Sequence, residues 1–123
     1  MTVVCSAQNK LYRKILSRTV LRHCKHARVF SCHSTEMEYQ LIVKYDPDIV
    51  IAEIATASAI EDEVFLAKVA RENRPDAKII YVSSVREELH RAALAGAAPY
   101  IWVQKPFIWL HLSKTLRDIV KGA

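Results

Sequence analysis

Five donor side chains crowd into eleven positions of this chain: His23, Cys24, His26, Cys32 and His33. Imidazole and thiolate are the ligands that zinc takes, so the cluster raises the question of a tetrahedral site. The spacing argues against it. Ala27 to Cys32 alternates as a strand does, with Val29 and Ser31 toward one side and Arg28, Phe30 and Cys32 toward the other. About six residues at ~3.3 Å each carry Cys32 and His33 roughly 20 Å from Cys24 and His26, too far for one ion. No metal is expected there. The third cysteine, Cys5, leaves an odd set without a Cys-x-x-Cys pair, so no disulfide framework is expected and a reducing, cytoplasmic setting fits.

A second set holds a carboxylate, a hydroxyl and an ammonium group. Glu53 lies within the apolar run Ile49–Ile54, Ser83 closes the run Lys78–Ser83, and Lys105 follows the run Tyr100–Val103. The elements that must bring them together read as strand then helix, five times over. Val3–Ala7 is a short uncharged run suited to a strand covered on both faces. Asn9 caps a helix with apolar positions Leu11, Ile15, Val20 and partly Leu16, and Lys10, Arg13, Lys14, Arg18 and Arg22 fall mostly opposite. Arg28–Cys32 is the second strand. Thr35 and Glu38 form a capping-box pattern that opens a helix through Lys44, and Asp46-Pro47-Asp48 breaks the chain before Ile49. A helix on Val64, Phe65, Lys68 and Val69 runs to Arg74, where Pro75 ends it. Ser84 with Glu87 repeats the capping signal for a helix reaching Gly96, a natural helix-ending residue. After Lys105-Pro106 a last helix carries Trp109, Leu112, Leu116, Ile119 and Val120.

Such alternation predicts an α/β fold: five parallel strands in one sheet, right-handed crossovers, helices on both faces, and a single domain over residues 1–123. Chemistry in such sheets gathers at the carboxyl ends of the strands. Those ends are Ala7 and Gln8, Glu53, Ser83, and Gln104 with Lys105, and only Glu53 among them is acidic. The first turn has no glycine-rich loop, which disfavours nucleotide binding. His90 and His111 have no nucleophile partner at the strand ends, so no catalysis is expected.

Pro47-Asp48-Ile49-Val50-Ile51-Ala52-Glu53-Ile54, Ile79-Ile80-Tyr81-Val82-Ser83-Ser84, Ala95-Gly96-Ala97 and Lys105-Pro106-Phe107, in that order, resemble the receiver domain of two-component response regulators. The resemblance covers essentially the whole chain. It implies a flavodoxin-like (βα)5 doubly wound sheet. It also implies phosphoryl uptake from a histidine kinase on an Asp at the third strand, Mg²⁺ on an acidic pair after the first, and a Ser/Thr and a Lys on the phosphoryl group. Here the phosphoacceptor position is Glu53, and Ser83 and Lys105 match the hydroxyl and basic positions. The acidic pair falls on Ala7 and Gln8, or on Cys5 and Ser6 in a shifted register. Two extra residues lie between Gly96 and Lys105. The family's switch aromatic maps to Trp102, or to Tyr100 if the insertion lies elsewhere.

These departures carry chemical consequences. Mg²⁺ is anchored by carboxylates, so its binding is expected to be lost. A glutamate is one methylene longer than aspartate, displacing a nucleophile by about 1.5 Å, and such displacements slow reactions by orders of magnitude. A pseudo-receiver that works independently of phosphorylation, by protein contact or dimerisation, is therefore expected. A receiver with an unusual acceptor is the alternative. Glu53 either imitates a phosphorylated aspartate by reaching Ser83 and Lys105, or forms a partly buried ion pair with Lys105. Tyr100, Trp102, Phe107, Ile108, Trp109 and Leu110 exceed what one small core hides, which predicts a homodimer face across the fourth helix, fifth strand and fifth helix.

Composition fits this reading. Residues 1–35 hold seven Lys/Arg and no acid, whereas residues 36–123 hold eleven against thirteen acids. A net +7 third beside a −2 remainder predicts an anionic partner or one solvated basic helix. Direct nucleic-acid binding through the first helix is a weaker alternative, because no recognition motif accompanies the charge. The longest apolar runs are far too short for a membrane span, and no signal peptide or output domain is evident.

Overall fold

A computed structural model describes residues 1–106 and 108–122. The order is β1 (Thr2–Ser6), α1 (Lys10–His23), β2 (Arg28–Cys32), α2 (Thr35–Tyr45), β3 (Ile49–Ile54), α3 (Ile60–Asn73), β4 (Lys78–Ser83), α4 (Arg91–Leu94), β5 (Ile101–Gln104) and α5 (Ile108–Gly122). Five parallel strands form one sheet in the order β2-β1-β3-β4-β5, the flavodoxin-like arrangement expected. Its topological switch lies between β1 and β3, so the carboxyl ends of those two strands frame the crevice where ligands gather.

Successive residues of a strand point to opposite faces, and this divides the core in two. Val3, Cys5, Ile49, Ile51, Ile80, Val82 and Val103 face α1 and α5, meeting Leu16, Val20, Ile108, Leu112 and Leu116. Val50, Ala52, Ile54, Ile79 and Tyr81 face the other way, onto Ile42 of α2, Ala67 and Ala70 of α3, and Leu94 of α4. Each buried Val, Leu or Ile contributes about 1.5–3 kcal/mol relative to exposure.

The helices differ from the sequence expectation where two stripes compete. Leu11 is 65% exposed, while Tyr12, Leu16 and Val20 turn inward. Both stripes have helical spacing, and contact with α5 selects the second: the Tyr12 and Trp109 rings lie 5.8 Å apart. Asn9 caps α1 as expected, its Oδ1 accepting from the Tyr12 amide at 3.1 Å. In α2 the cap is Ser34 rather than Thr35, and Glu38 closes no capping box but is fully buried. In α3 the inward residues are Val64, Leu66, Ala67 and Ala70, leaving Phe65 outside.

The fourth helix is only four residues long, between 3₁₀ turns at Glu87–Leu89 and Ala95–Ala97. Ser84 does not cap it, because Glu87 spends its carboxylate on the Tyr100 hydroxyl at 2.7 Å. Gly96 does not adopt a left-handed conformation; its constraint is space, since a Cβ there would lie 3.0 Å from a Val64 methyl. The left-handed residue is Asp46, φ 44°, which turns the chain out of α2 ahead of Pro47. Strand edges shift by one residue: β1 stops at Ser6, and β5 runs from Ile101 to Gln104.

Candidate functional site

The crevice begins at the end of β1. Ala7 is buried with its amide bonded to the Cys32 carbonyl, and Gln8 is exposed, so neither residue brings a carboxylate. A cation occupies this loop instead. Arg13 folds back from the first turn of α1, and its Nη1 donates to the carbonyls of Ala7 and Gln8, both at 2.8 Å.

Opposite, Glu53 stands at the penultimate position of β3 with its side chain 8% exposed. The Lys105 ammonium meets its Oε2 at 2.5 Å. Lys105 arrives from the end of β5, where its own amide donates to the Ser83 carbonyl at 2.8 Å and the Lys105–Pro106 bond is cis. The ammonium also lies 4.4 Å from the centroid of the Tyr12 ring. An ion pair, a cation–π contact and the Tyr12–Trp109 ring contact thus join β3, β5, α1 and α5.

Ser83 is fully buried, and its hydroxyl is spent on backbone. It donates to the Ile54 carbonyl at 2.6 Å and accepts from the Val85 amide at 2.9 Å. A hydroxyl has one proton to donate, so Ser83 gives none to Glu53. The structure therefore unites two of the three expected groups, Glu53 and Lys105. It holds the third beside them, in register with Ile54 and Gln104, but turned to other partners.

The residues at the end of β1 do not suit Mg²⁺. Two loop carbonyls are committed to Arg13, and Glu53, the acidic residue at the described strand ends, is paired with Lys105. Among the described residues no three His, Cys, Asp or Glu side chains group as ligands. The early His/Cys cluster is split, with Cys24 at the end of α1 and Cys32 at the far end of β2. Burial pushes the thiols of Cys5 and Cys32 up to about 12 and about 11, leaving both protonated and poor ligands.

The aromatic residues divide. Trp102 is half-buried, donates from Nε1 to Gln104 Oε1 at 3.1 Å, and packs edge-on against Tyr81 at 6.2 Å and Tyr100 at 6.4 Å. Burial and the Glu87 carboxylate push the Tyr100 phenol up to about 12. Ile108, expected on an interface, is 1% exposed and belongs to the core, because the first turn of α5 drops it beneath β5. Trp109 at 37% and Leu110 at 78% remain outside, while Phe107 lies outside the described residues.

Sequence reasoning missed Arg13 and Tyr12 as site residues. Tyr12 lies four residues before Leu16 on the inward stripe, and Arg13 read as one of the basic residues of α1; the Lys105 contact with Tyr12 and the reach of Arg13 to the Ala7 and Gln8 carbonyls reveal them. The basic side of α1 forms a groove of about 440 Å³ lined by Lys10, Arg13, Lys14 and Arg18. A buried pair, Glu38 on α2 and Glu63 on α3, was also missed. Glu38 shares a helical stripe with Ile42, and Glu63 with Ala67 and Ala70, a spacing that places both inward.

No family profile and no curated protein matches this chain. Solved structures do. A response regulator receiver protein from Sinorhizobium medicae is 20% identical with a TM-score of 0.79, over 100% of this chain and 95% of that one. A two-component response regulator from Clostridium difficile is 16% identical with a TM-score of 0.77, over 98% and 96%. The receiver domain of the Francisella response regulator 1452 is 15% identical with a TM-score of 0.74, over 98% and 97%. The chain therefore has the receiver-domain fold. No helix among the described residues is long and apolar enough to cross a membrane.

Proposed function

We propose that this chain is a receiver-fold module of two-component signalling that acts through protein contact and takes up no phosphoryl group. The observation that carries this reading is the Glu53–Lys105 ion pair. Phosphoryl transfer to a carboxylate needs a free nucleophile facing a metal-bound donor. Here the carboxylate is engaged, the Ser83 hydroxyl is committed to backbone, and a guanidinium holds the loop that would carry the metal's ligands. The geometry supports a structural ion pair over imitation of a phosphorylated aspartate, since Glu53 gains nothing from Ser83.

Amide NMR spectra recorded with Mg²⁺ and beryllofluoride test this. No shift is expected at Glu53, Ser83, Val85 or Lys105 beyond that caused by Mg²⁺ alone. Displaced resonances at Ser83 and Lys105 revive an active receiver with a glutamate acceptor.

The contact surface best supported is the edge of α5, where Trp109 and Leu110 are exposed on a short helical turn, and the partner is a second copy. Sedimentation velocity at micromolar concentration should show a dimer, and Leu110→Glu a monomer that still unfolds cooperatively. A monomeric unmodified protein removes the dimer and leaves the basic groove of α1, which fits an acidic protein surface.

A further inference from the structure

The least conventional feature of the interior lies away from the crevice, between α2 and α3. Glu38 is completely buried, and neither of its carboxylate oxygens has a hydrogen-bond partner. Glu63, 4% exposed, faces it from α3. The other groups around the pair supply no compensating charge. Ser6 at the end of β1 brings a hydroxyl close enough to favour ionised Glu38 somewhat, against the larger effect of burial. Cys32 comes from the end of β2, Asp62 adds a further acid on α3, and Tyr81 of β4 donates its hydroxyl to the Glu63 carbonyl at 3.0 Å. Arg71, whose charge reaches Tyr81, gives its guanidinium to the carbonyls of Ala97 and Pro99. Among the described residues neither glutamate belongs to an ion pair.

Ionised carboxylates are acceptors only, so two of them facing each other have nothing to exchange. What the pair lacks is a proton. One proton turns the contact into a carboxyl–carboxylate hydrogen bond, a strong charge-assisted kind, and removes one of two buried like charges. We infer that Glu38 and Glu63 share a proton that latches α2 to α3, and that this seam opens when the proton is released to solvent.

Burial first, and then the charge of Glu38, push the Glu63 carboxyl up to about 10, and burial raises Glu38 as well. The sign follows. Groups raised above their unfolded values hold the seam fully below an ordinary glutamate pKa of ~4.3, and the hold is lost progressively as pH rises toward the raised value. The outer lip of the seam is a cleft of about 500 Å³ lined by Thr35, Glu36, Tyr39, Asp62 and Phe65. The Tyr39 and Phe65 rings stack across it, both exposed, so water reaches the mouth of the seam.

Hydrogen exchange on the intact chain tests the latch. Amides of α2 and α3 are followed from pH 6 to pH 9, and each rate is divided by the intrinsic rate at that pH. Opening that releases one proton lowers protection about tenfold per pH unit. Glu63→Gln supplies from its amide the donor that Glu38 lacks, with no proton to lose, so its protection should be independent of pH. Protection that is flat in the unmodified protein, or a variant as steep as the unmodified protein, overturns the inference. Should the variant not fold, ¹³C spectra of the side-chain carboxyls decide. One carboxyl of the pair must remain protonated at pH 7, and titration of both below pH 6 overturns the latch. A chelator that alters exchange at α2 also overturns it, since a metal would then fill the place of the proton.

Discussion

Lys105→Met should destabilise the chain by about 3 kcal/mol, the low end of what breaking a buried ion pair costs. The substitution keeps most of the apolar stem, ending one atom short of the ammonium, and leaves the Glu53 carboxylate, 8% exposed, without its counter-charge. Lys105 itself is 21% exposed, so some water reaches the vacated position and holds the loss at that low end. The cation–π contact with Tyr12 disappears as well, worth about 0.5–1 kcal/mol at such a site. Glu53→Gln in the same background should restore most of the loss, because a neutral amide needs no counter-charge. Urea unfolding of the four chains of the cycle measures the coupling. A loss below about 1 kcal/mol for Lys105→Met would show the pair to be no more than a surface contact.

Tyr81→Ala should cost about 3–5 kcal/mol, the range for removing a large buried aromatic residue. Tyr81 is 1% exposed and is the hub on which Tyr100, at 5.7 Å, and Trp102, at 6.2 Å, both rest. Its hydroxyl also ties β4 to the Glu63 carbonyl of α3. Tyr81→Phe separates the two contributions: it keeps the ring contacts, removes one hydrogen bond to a carbonyl that also accepts within α3, and should cost about 1 kcal/mol. Thermal and urea unfolding read the stability, and Trp102 emission, recorded in a Trp109→Phe background because the chain has two tryptophans, reads the packing. Emission unchanged in Tyr81→Ala would mean that Trp102 is held by its Gln104 bond and the strand alone.

The strands were legible in the sequence because each is a short apolar run that alternates between two covered faces. Their parallel pairing and the crevice at their carboxyl ends followed from strand–helix alternation, and the flavodoxin-like order from the resemblance. Glu53 and Lys105 were legible as a pair because both stand at the carboxyl ends of strands and match the acceptor and basic positions of the resemblance. The helices were less so. Leu11 with Ile15 and Tyr12 with Leu16 are equally spaced stripes, and only docking on α5 chooses between them. Ser83 marked the right place, but the direction of its hydroxyl depends on Val85 and Ile54, which sequence spacing does not order. Glu38 escaped because an acid three residues after a hydroxyl reads as a helix cap, whereas the cap fell one residue earlier and turned Glu38 into the core. The fourth helix escaped for a tertiary reason, the bond between Glu87 and Tyr100.

Arg13 has a consequence for how such a module is controlled. A receiver that borrows its cation from solution can be emptied by a chelator and refilled, and its conformation follows that occupancy. The guanidinium on the Ala7 and Gln8 carbonyls is covalently part of the chain, present from synthesis onward. On the reading proposed above, nothing at this end of the sheet is loaded or unloaded. What the crevice conveys to a partner is then set by how many copies of the chain the cell makes and degrades, a matter of dose rather than of toggling.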